Sequence, residues 1–131
     1  MEIIDGKKIA AEIKETIKAE IANIIDHGER APHLVAVLVG EDPASETYVA
    51  AKEKACREVG ITSSVYRLAD TVKEDELLKV IGFLNLDEEV DGYIVQLPLP
   101  KHINETKVLE AILPSKDVDG FHPANLGRMV L

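Results

Sequence analysis

Apolar residues recur along this chain with two distinct periods, and the alternation between them lays out the fold. From Asp5, a residue able to cap a helix, the isoleucines at 9, 13, 17, 21, 24 and 25 return at intervals of three and four, and Gly28 supplies a stop. His33-Leu34-Val35-Ala36-Val37-Leu38-Val39 is a nearly continuous aliphatic run ending at Gly40, the pattern of a strand buried on both faces in a parallel sheet. Gly40 to Ala44 reads as a loop that opens a helix over about Ser45 to Val59, closed by Gly60. Ile61 to Leu68 reads as a second strand. Thr71 and Glu74 have capping-box spacing ahead of a helix whose inner side is Leu77, Leu78, Ile81 and Leu84. Asp91-Gly92 leads into a third buried strand, Tyr93 to Leu97, stopped by Pro98 and Pro100; the Leu97–Pro98 or the Leu99–Pro100 bond is a candidate for the cis form. Asn104 can cap one more helix with Val108, Leu109 and Ile112 inward, followed by a loop from Pro114 to Pro123.

Strands alternating with helices of these lengths predict an α/β domain, a three-layer α-β-α arrangement with a mainly parallel sheet. Ligands of such sheets bind beyond the carboxyl ends of the strands, which here are Gly40 to Ser45 and Gln96 to Pro100. No internal repeat and no low-complexity linker interrupts the chain.

The 131 residues suffice for one domain, and 46% hydrophobic with 30% charged residues is an ordinary globular balance. A formal charge of −9 argues against nucleic acid or an anionic membrane as the main partner, since both demand a positive surface. No apolar run is long enough for a membrane span. Met1 to Asp5 lacks the basic and apolar regions of a signal peptide, and the lone Cys56 fits a reducing compartment, so a cytoplasmic location is expected. No G-x-G-x-x-G or Walker loop occurs, so no nucleotide-phosphate site is expected within these residues. The last residues, Leu126 to Leu131, read as the start of a helix over an apolar surface, from which a shortened form of a longer protein is expected.

On a wheel of roughly 100° per residue, Tyr48, Val49, Ala51, Ala55, Cys56 and Val59 share an apolar arc of about 160°. Lys52 lies inside that arc, one turn beyond Tyr48, whereas Lys54 falls on the polar side with Thr47 and Arg57. A lysine so placed either snorkels to water or sits desolvated, and desolvation turns an ammonium into a proton-transfer group near neutral pH. Gln96 interrupts an apolar strand and must find partners: loop backbone, a ligand, or Lys52 itself. In Lys116-Asp117-Val118-Asp119-Gly120, the acids either cap a turn or offer a carboxylate to paired N–H donors of a heterocycle. The later ligands of a calcium loop are missing, and His27, His33, His102 and His122 have no metal-ligand spacing, so no metal site is expected. Cys56 has no base beside it in sequence and reads as a buried structural thiol.

Three segments together resemble one family. Val39-Gly40 through Ala44-Ser45, then Tyr48-Val49-x-x-Lys52-x-Lys54 and Gly60-Ile61, is similar to the first signature of bifunctional methylenetetrahydrofolate dehydrogenase/methenyltetrahydrofolate cyclohydrolase. Asp91 to Pro100, and Pro114-x-Lys116-Asp117-Val118-Asp119-Gly120-Phe121-His122-Pro123-x-Asn125-x-Gly127, resemble its later signatures, and Asp5-Gly6-Lys7 also fits. The resemblance spans essentially the whole chain. It implies that residues 1–131 are the folate-binding catalytic domain of a multifunctional enzyme, oxidoreductase and hydrolase, of one-carbon metabolism and purine biosynthesis. Such an enzyme oxidises 5,10-methylenetetrahydrofolate with NADP and hydrolyses the resulting 5,10-methenyltetrahydrofolate to 10-formyltetrahydrofolate. Lys52 would be the general acid–base group activating water, Gln96 its hydrogen-bonding partner, and Tyr48 a ring stacked on the aminobenzoyl group. Asp119 would accept from the pterin, and the backbone of Val95, Gln96 and Leu97 would line the same cleft. The NADP-binding Rossmann domain that follows in the family is absent from these residues, so dehydrogenase activity of this chain alone is not expected. A homodimer formed largely through that other domain is the implied assembly. Two alternatives stand beside this reading: the substrate domain of another two-domain NAD(P) oxidoreductase, and a stand-alone binding or interaction domain without catalysis.

Overall fold

The computed structural model describes residues 5–130; Met1 to Ile4 and Leu131, including most of the segment read for a leader, lie outside the described residues. Three strands, β1 (His33–Val39), β2 (Thr62–Leu68) and β3 (Gly92–Val95), form an all-parallel sheet in the order β2-β1-β3. Among the described residues are five α-helices, α1 (Gly6–Asp26), α2 (Pro43–Val59), α3 (Glu74–Leu86), α4 (Glu105–Ala111) and α5 (Pro123–Val130), with a 3-10 turn at Pro114–Lys116.

The layers follow from strand alternation. Val35, Val37 and Val39 of β1, with Tyr93 and Val95 of β3, point to one side, where Leu77, Ile81 and Leu84 of α3 and Val108 of α4 complete the main core. Ala36, Leu38 and Ile94 point to the other, where Val49 of α2 and Val65 cover them in a smaller cluster. Complete burial of a side chain such as Leu77 is worth about 1.5–3 kcal/mol, so the α3 side holds most of the stability. The three-layer α-β-α architecture is the one its strand and helix pattern predicts.

Local chemistry departs from the pattern at three points. Thr71 does not cap α3, which begins at Glu74 with Lys73 at the cap position and no side-chain cap bond. Glu74 instead accepts from the Asn104 backbone N–H at 2.8 Å, so the carboxylate read as one half of a capping box serves the start of α4. The third strand stops at Val95, where pairing with β1 ends; Gln96 donates one further bond to the Val37 carbonyl at 2.9 Å and leaves the sheet. On α1, capped by Asp5 as expected, only Ile21 is buried, while Ile9, Ile13, Ile17 and Ile25 are exposed. That helix meets the domain through Ile21 against Gly60 and the Lys14–Glu58 ion pair, and the rest of its isoleucine stripe is left largely uncovered.

Candidate functional site

The turn from β1 into α2 sets the site. Gly40, at a positive φ of 87°, turns the chain out of the sheet, and its N–H donates to the Leu68 carbonyl at 2.9 Å. Asp42 caps α2 by accepting from both the backbone N–H and the hydroxyl of Ser45, each at 3.0 Å, with Pro43 in the first turn. Ser45, Val49, Cys56 and Val59 are the buried residues of α2, and Lys52 is half-buried among them. The buried face is rotated from the apolar arc of the sequence: Ala51 and Tyr48 fall outside it, and Tyr48 is 59% exposed. Lys52 stays inside the inward face after this rotation, and Lys54 is exposed.

Lys52 lines a small cavity together with Val49 and Ile94, and its Nζ donates to Gln96 Oε1 at 2.9 Å. Of the partners open to Gln96 in sequence, the structure shows Lys52 itself. Gln96 Nε2 donates to the Leu97 carbonyl at 3.1 Å, which turns the amide so that its oxygen faces the lysine. The Leu97–Pro98 bond is cis. Lys52 has no ion pair with any carboxylate among the described residues. Its one bonded partner is a neutral acceptor, which leaves two Nζ donor positions.

Val95 and Leu97 flank the glutamine differently. The Val95 side chain lies in the main core, so it offers a cleft only its backbone, and Leu97 is half-buried. Asp119 comes from the opposite edge of β3. The backbone of Asp117 bridges Tyr93 in parallel there, on the side away from β1. Gly92 lets that segment close in: a Cβ on it would lie 2.6 Å from a Val118 methyl. Asp119 is exposed, without an ion pair among the described residues, and no hydrogen bond joins it to Lys52 or Gln96. Of the sequence-derived residues, Lys52 and Gln96 are in direct contact at the end of β3, while Tyr48 and Asp119 are exposed and neither is hydrogen-bonded to that pair.

Asn85 escaped the sequence reading. Its Oδ1 accepts from the Tyr93 hydroxyl at 2.6 Å and the Leu113 N–H at 3.0 Å, and its Nδ2 donates to the Ala111 carbonyl at 2.9 Å. The signal was present in a buried tyrosine within an apolar strand, whose hydroxyl had to find a partner. Burial pushes the Tyr93 phenol far above its ordinary range. Lys116 likewise caps the end of α3, donating to the Leu84 and Asp87 carbonyls at 2.8 and 2.7 Å. Burial, with Glu53 nearby, pushes the Cys56 thiol up and keeps it protonated, in keeping with a structural role.

The described residues do not fit a dinucleotide. Neither β1 nor β3 is followed by a Gly-rich turn, and the start of α2 carries Glu41, Asp42 and Glu46, which would repel a phosphate. Among the described residues no group of three or more His, Cys, Asp or Glu could hold a metal ion, and no helix is long and apolar enough to cross a membrane.

Residues 4–119 match the family model described as tetrahydrofolate dehydrogenase/cyclohydrolase, catalytic domain. The bifunctional protein FolD of Porphyromonas gingivalis is 58% identical over 127 residues, 97% of this chain and 43% of that protein. Its counterpart in Bacteroides fragilis is 59% identical over 129 residues, covering 98% and 44%. Among solved structures, the FolD methylenetetrahydrofolate dehydrogenase/cyclohydrolase of Campylobacter jejuni superposes with a TM-score of 0.92 at 49% identity, over 95% of this chain and 44% of that one. The Trypanosoma brucei enzyme, solved with NADP cofactor and inhibitor, gives 0.90 at 32% identity, over 98% and 43%. The chain therefore spans less than half the length of the relatives it matches. With a family match across most of its length and the same fold in the solved relatives, the chain belongs to the tetrahydrofolate dehydrogenase/cyclohydrolase family and carries its catalytic domain.

Proposed function

We propose that this chain is the folate-binding half of an enzyme that oxidises 5,10-methylenetetrahydrofolate with NADP and hydrolyses the methenyl product to 10-formyltetrahydrofolate. The observation that carries the reading is the 2.9 Å bond from Lys52 Nζ to Gln96 Oε1, a basic group held inward at a strand end by a neutral acceptor. In the cyclohydrolase step Lys52 takes a proton from water as the water oxygen bonds to the methenyl carbon, and returns a proton as the ring C–N bond opens. Gln96 fixes where that proton transfer occurs. Tyr48, exposed one turn before Lys52, offers its ring to the aminobenzoyl group, and Asp119 accepts N–H donors of the pterin.

NADP supplies the hydride acceptor of the dehydrogenase step. Since nothing in residues 5–130 fits it, its site is assigned to a following Rossmann domain of the longer protein. The full-length protein is read as a cytoplasmic homodimer serving one-carbon supply to purine biosynthesis, with no nucleic-acid or membrane partner. Family membership speaks against the alternative of a substrate domain from another two-domain NAD(P) oxidoreductase.

The test is Lys52→Met in the full-length protein, which keeps the length of the stem and removes the amine. Cyclohydrolase turnover is expected to fall by about 100-fold or more, the scale of a lost general acid–base group, with far-UV circular dichroism unchanged. Undiminished turnover refutes the role of Lys52. Failure of the unmodified full-length protein to bind a folate analogue leaves the non-catalytic binding domain as the reading.

A further inference from the structure

The two acids of Asp117-Val118-Asp119 are not equivalent in the fold. The Asp117 carboxylate is half-buried and turned inward: Oδ1 accepts from the Gly120 N–H at 3.1 Å, and Oδ2 accepts from the His122 N–H at 2.8 Å and from Asn125 Nδ2 at 3.0 Å. Asn125 Nδ2 also donates to the Pro114 carbonyl at 2.9 Å. One carboxylate thus gathers the start of the segment, the Gly120 turn at a positive φ of 71° and the first turn of α5. The segment is anchored to β3 through the Asp117–Tyr93 bridge and the seat of Val118 on Gly92. Asp119 stands between these fixed points and is exposed.

We infer that Asp117 is a positioning residue: it holds the turn of residues 117–122 in the shape that presents the Asp119 carboxylate to the folate, without touching the folate itself. The inference rests on the reading of Asp119 given above. Its physical basis is donor accounting. The three N–H groups converging on Asp117 satisfy that carboxylate internally, whereas the exposed Asp119 side chain is left for outside donors. Burial pushes the Asp117 carboxyl up, but the converging N–H donors outweigh it and hold the group below the usual carboxylate range, so it stays charged and keeps these bonds at neutral pH. Without them the Gly120 turn keeps only the long 3.3 Å bond from its N–H to the Asp117 carbonyl, and Asp119 samples positions from which paired acceptance of pterin donors fails.

The experiment is a double-mutant cycle in the full-length protein, with KM for the methenyl substrate, kcat and the pH profile of kcat as readouts. Asp117→Ala is expected to raise KM by about tenfold, with kcat within about twofold and its pH profile unmoved, because Lys52 and Gln96 are untouched. In an Asp119→Ala background, which itself raises KM, adding Asp117→Ala is expected to change KM by less than about twofold, since nothing remains to be positioned. Should Asp117→Ala not fold, Asp117→Asn, which retains one acceptor oxygen, is read in the same cycle with a smaller shift. Multiplicative effects of the two substitutions, or a fall in kcat with KM unchanged, overturn the proposal while leaving the site reading intact. An unchanged KM in Asp119→Ala alone overturns both.

Discussion

Replacing Asn85 with alanine tests how the Asp119 segment is suspended from the sheet. The Tyr93 side chain is completely buried, so its hydroxyl, bonded at 2.6 Å to Asn85 Oδ1, has no water to turn to when that oxygen is removed. An orphaned buried donor costs about 1–3 kcal/mol. The half-buried Ala111 carbonyl loses its Asn85 donor and adds roughly 1 kcal/mol, while exposed Leu113 can redirect its N–H to water for about 0.5 kcal/mol or less. The total is about 2–4 kcal/mol. Tyr93→Phe removes the donor and leaves Asn85 its other two partners, so it should cost only about 1 kcal/mol. Once Tyr93→Phe has removed the hydroxyl, Asn85→Ala no longer orphans it, and the cycle should show a coupling of roughly 1–2 kcal/mol. With no tryptophan in the chain, urea unfolding followed by far-UV circular dichroism is the suitable assay, read from the midpoint at constant m. Costs that add within about 0.5 kcal/mol, or an Asn85→Ala cost no larger than that of Tyr93→Phe, would refute the account of this network.

Other consequences can be checked separately. In the full-length protein Gln96→Glu preserves shape but replaces the neutral acceptor of Lys52 with a carboxylate; on the proposed role of Lys52, cyclohydrolase turnover should fall by about 100-fold with secondary structure intact, and wild-type turnover would show that the neutrality of the acceptor is irrelevant. The hydrogen bonds of Arg30 hold Asp91 below the ordinary carboxylate range, and Asp117 is also held low. Both carboxylates therefore contribute stability that is present above about pH 4 and lost as pH falls through their depressed values. Urea midpoints should drop at acid pH, and less steeply in Asp91→Asn. The raised Tyr93 phenol works in the opposite sense. Its contribution is complete below about pH 10 and fades above it, so Tyr93→Phe should flatten the alkaline limb of stability.

How far the sequence could be read depended on whether a pattern was local. The helix of residues 6–26, the caps at Asp5 and Asn104, and the β-branched runs of β1 and β3 are near-neighbour properties, governed by side chains a few residues apart, and they were legible. Lys52 was conspicuous for the same reason, as a charge in an apolar stripe. The Lys52–Gln96 bond joins residues 44 apart, and periodicity offers no means of choosing among the partners a buried amide could take. Thr71 and Glu74 show the opposite failure: their spacing was right for a local box, but the Glu74 carboxylate found a better donor 30 residues away. The isoleucine stripe of α1 showed which face is apolar but not what it meets, and within residues 5–130 it meets little beyond α2. The Asp-x-Asp-Gly motif displayed two identical acids, and only the converging donors of residues 120, 122 and 125 separate the one spent on the fold from the one left exposed. Sequence by itself determined the elements and the chemical groups available, because those depend on short-range sterics and burial period. Tertiary structure alone decided which groups are already satisfied, because hydrogen bonds between distant segments exist only once the chain has packed.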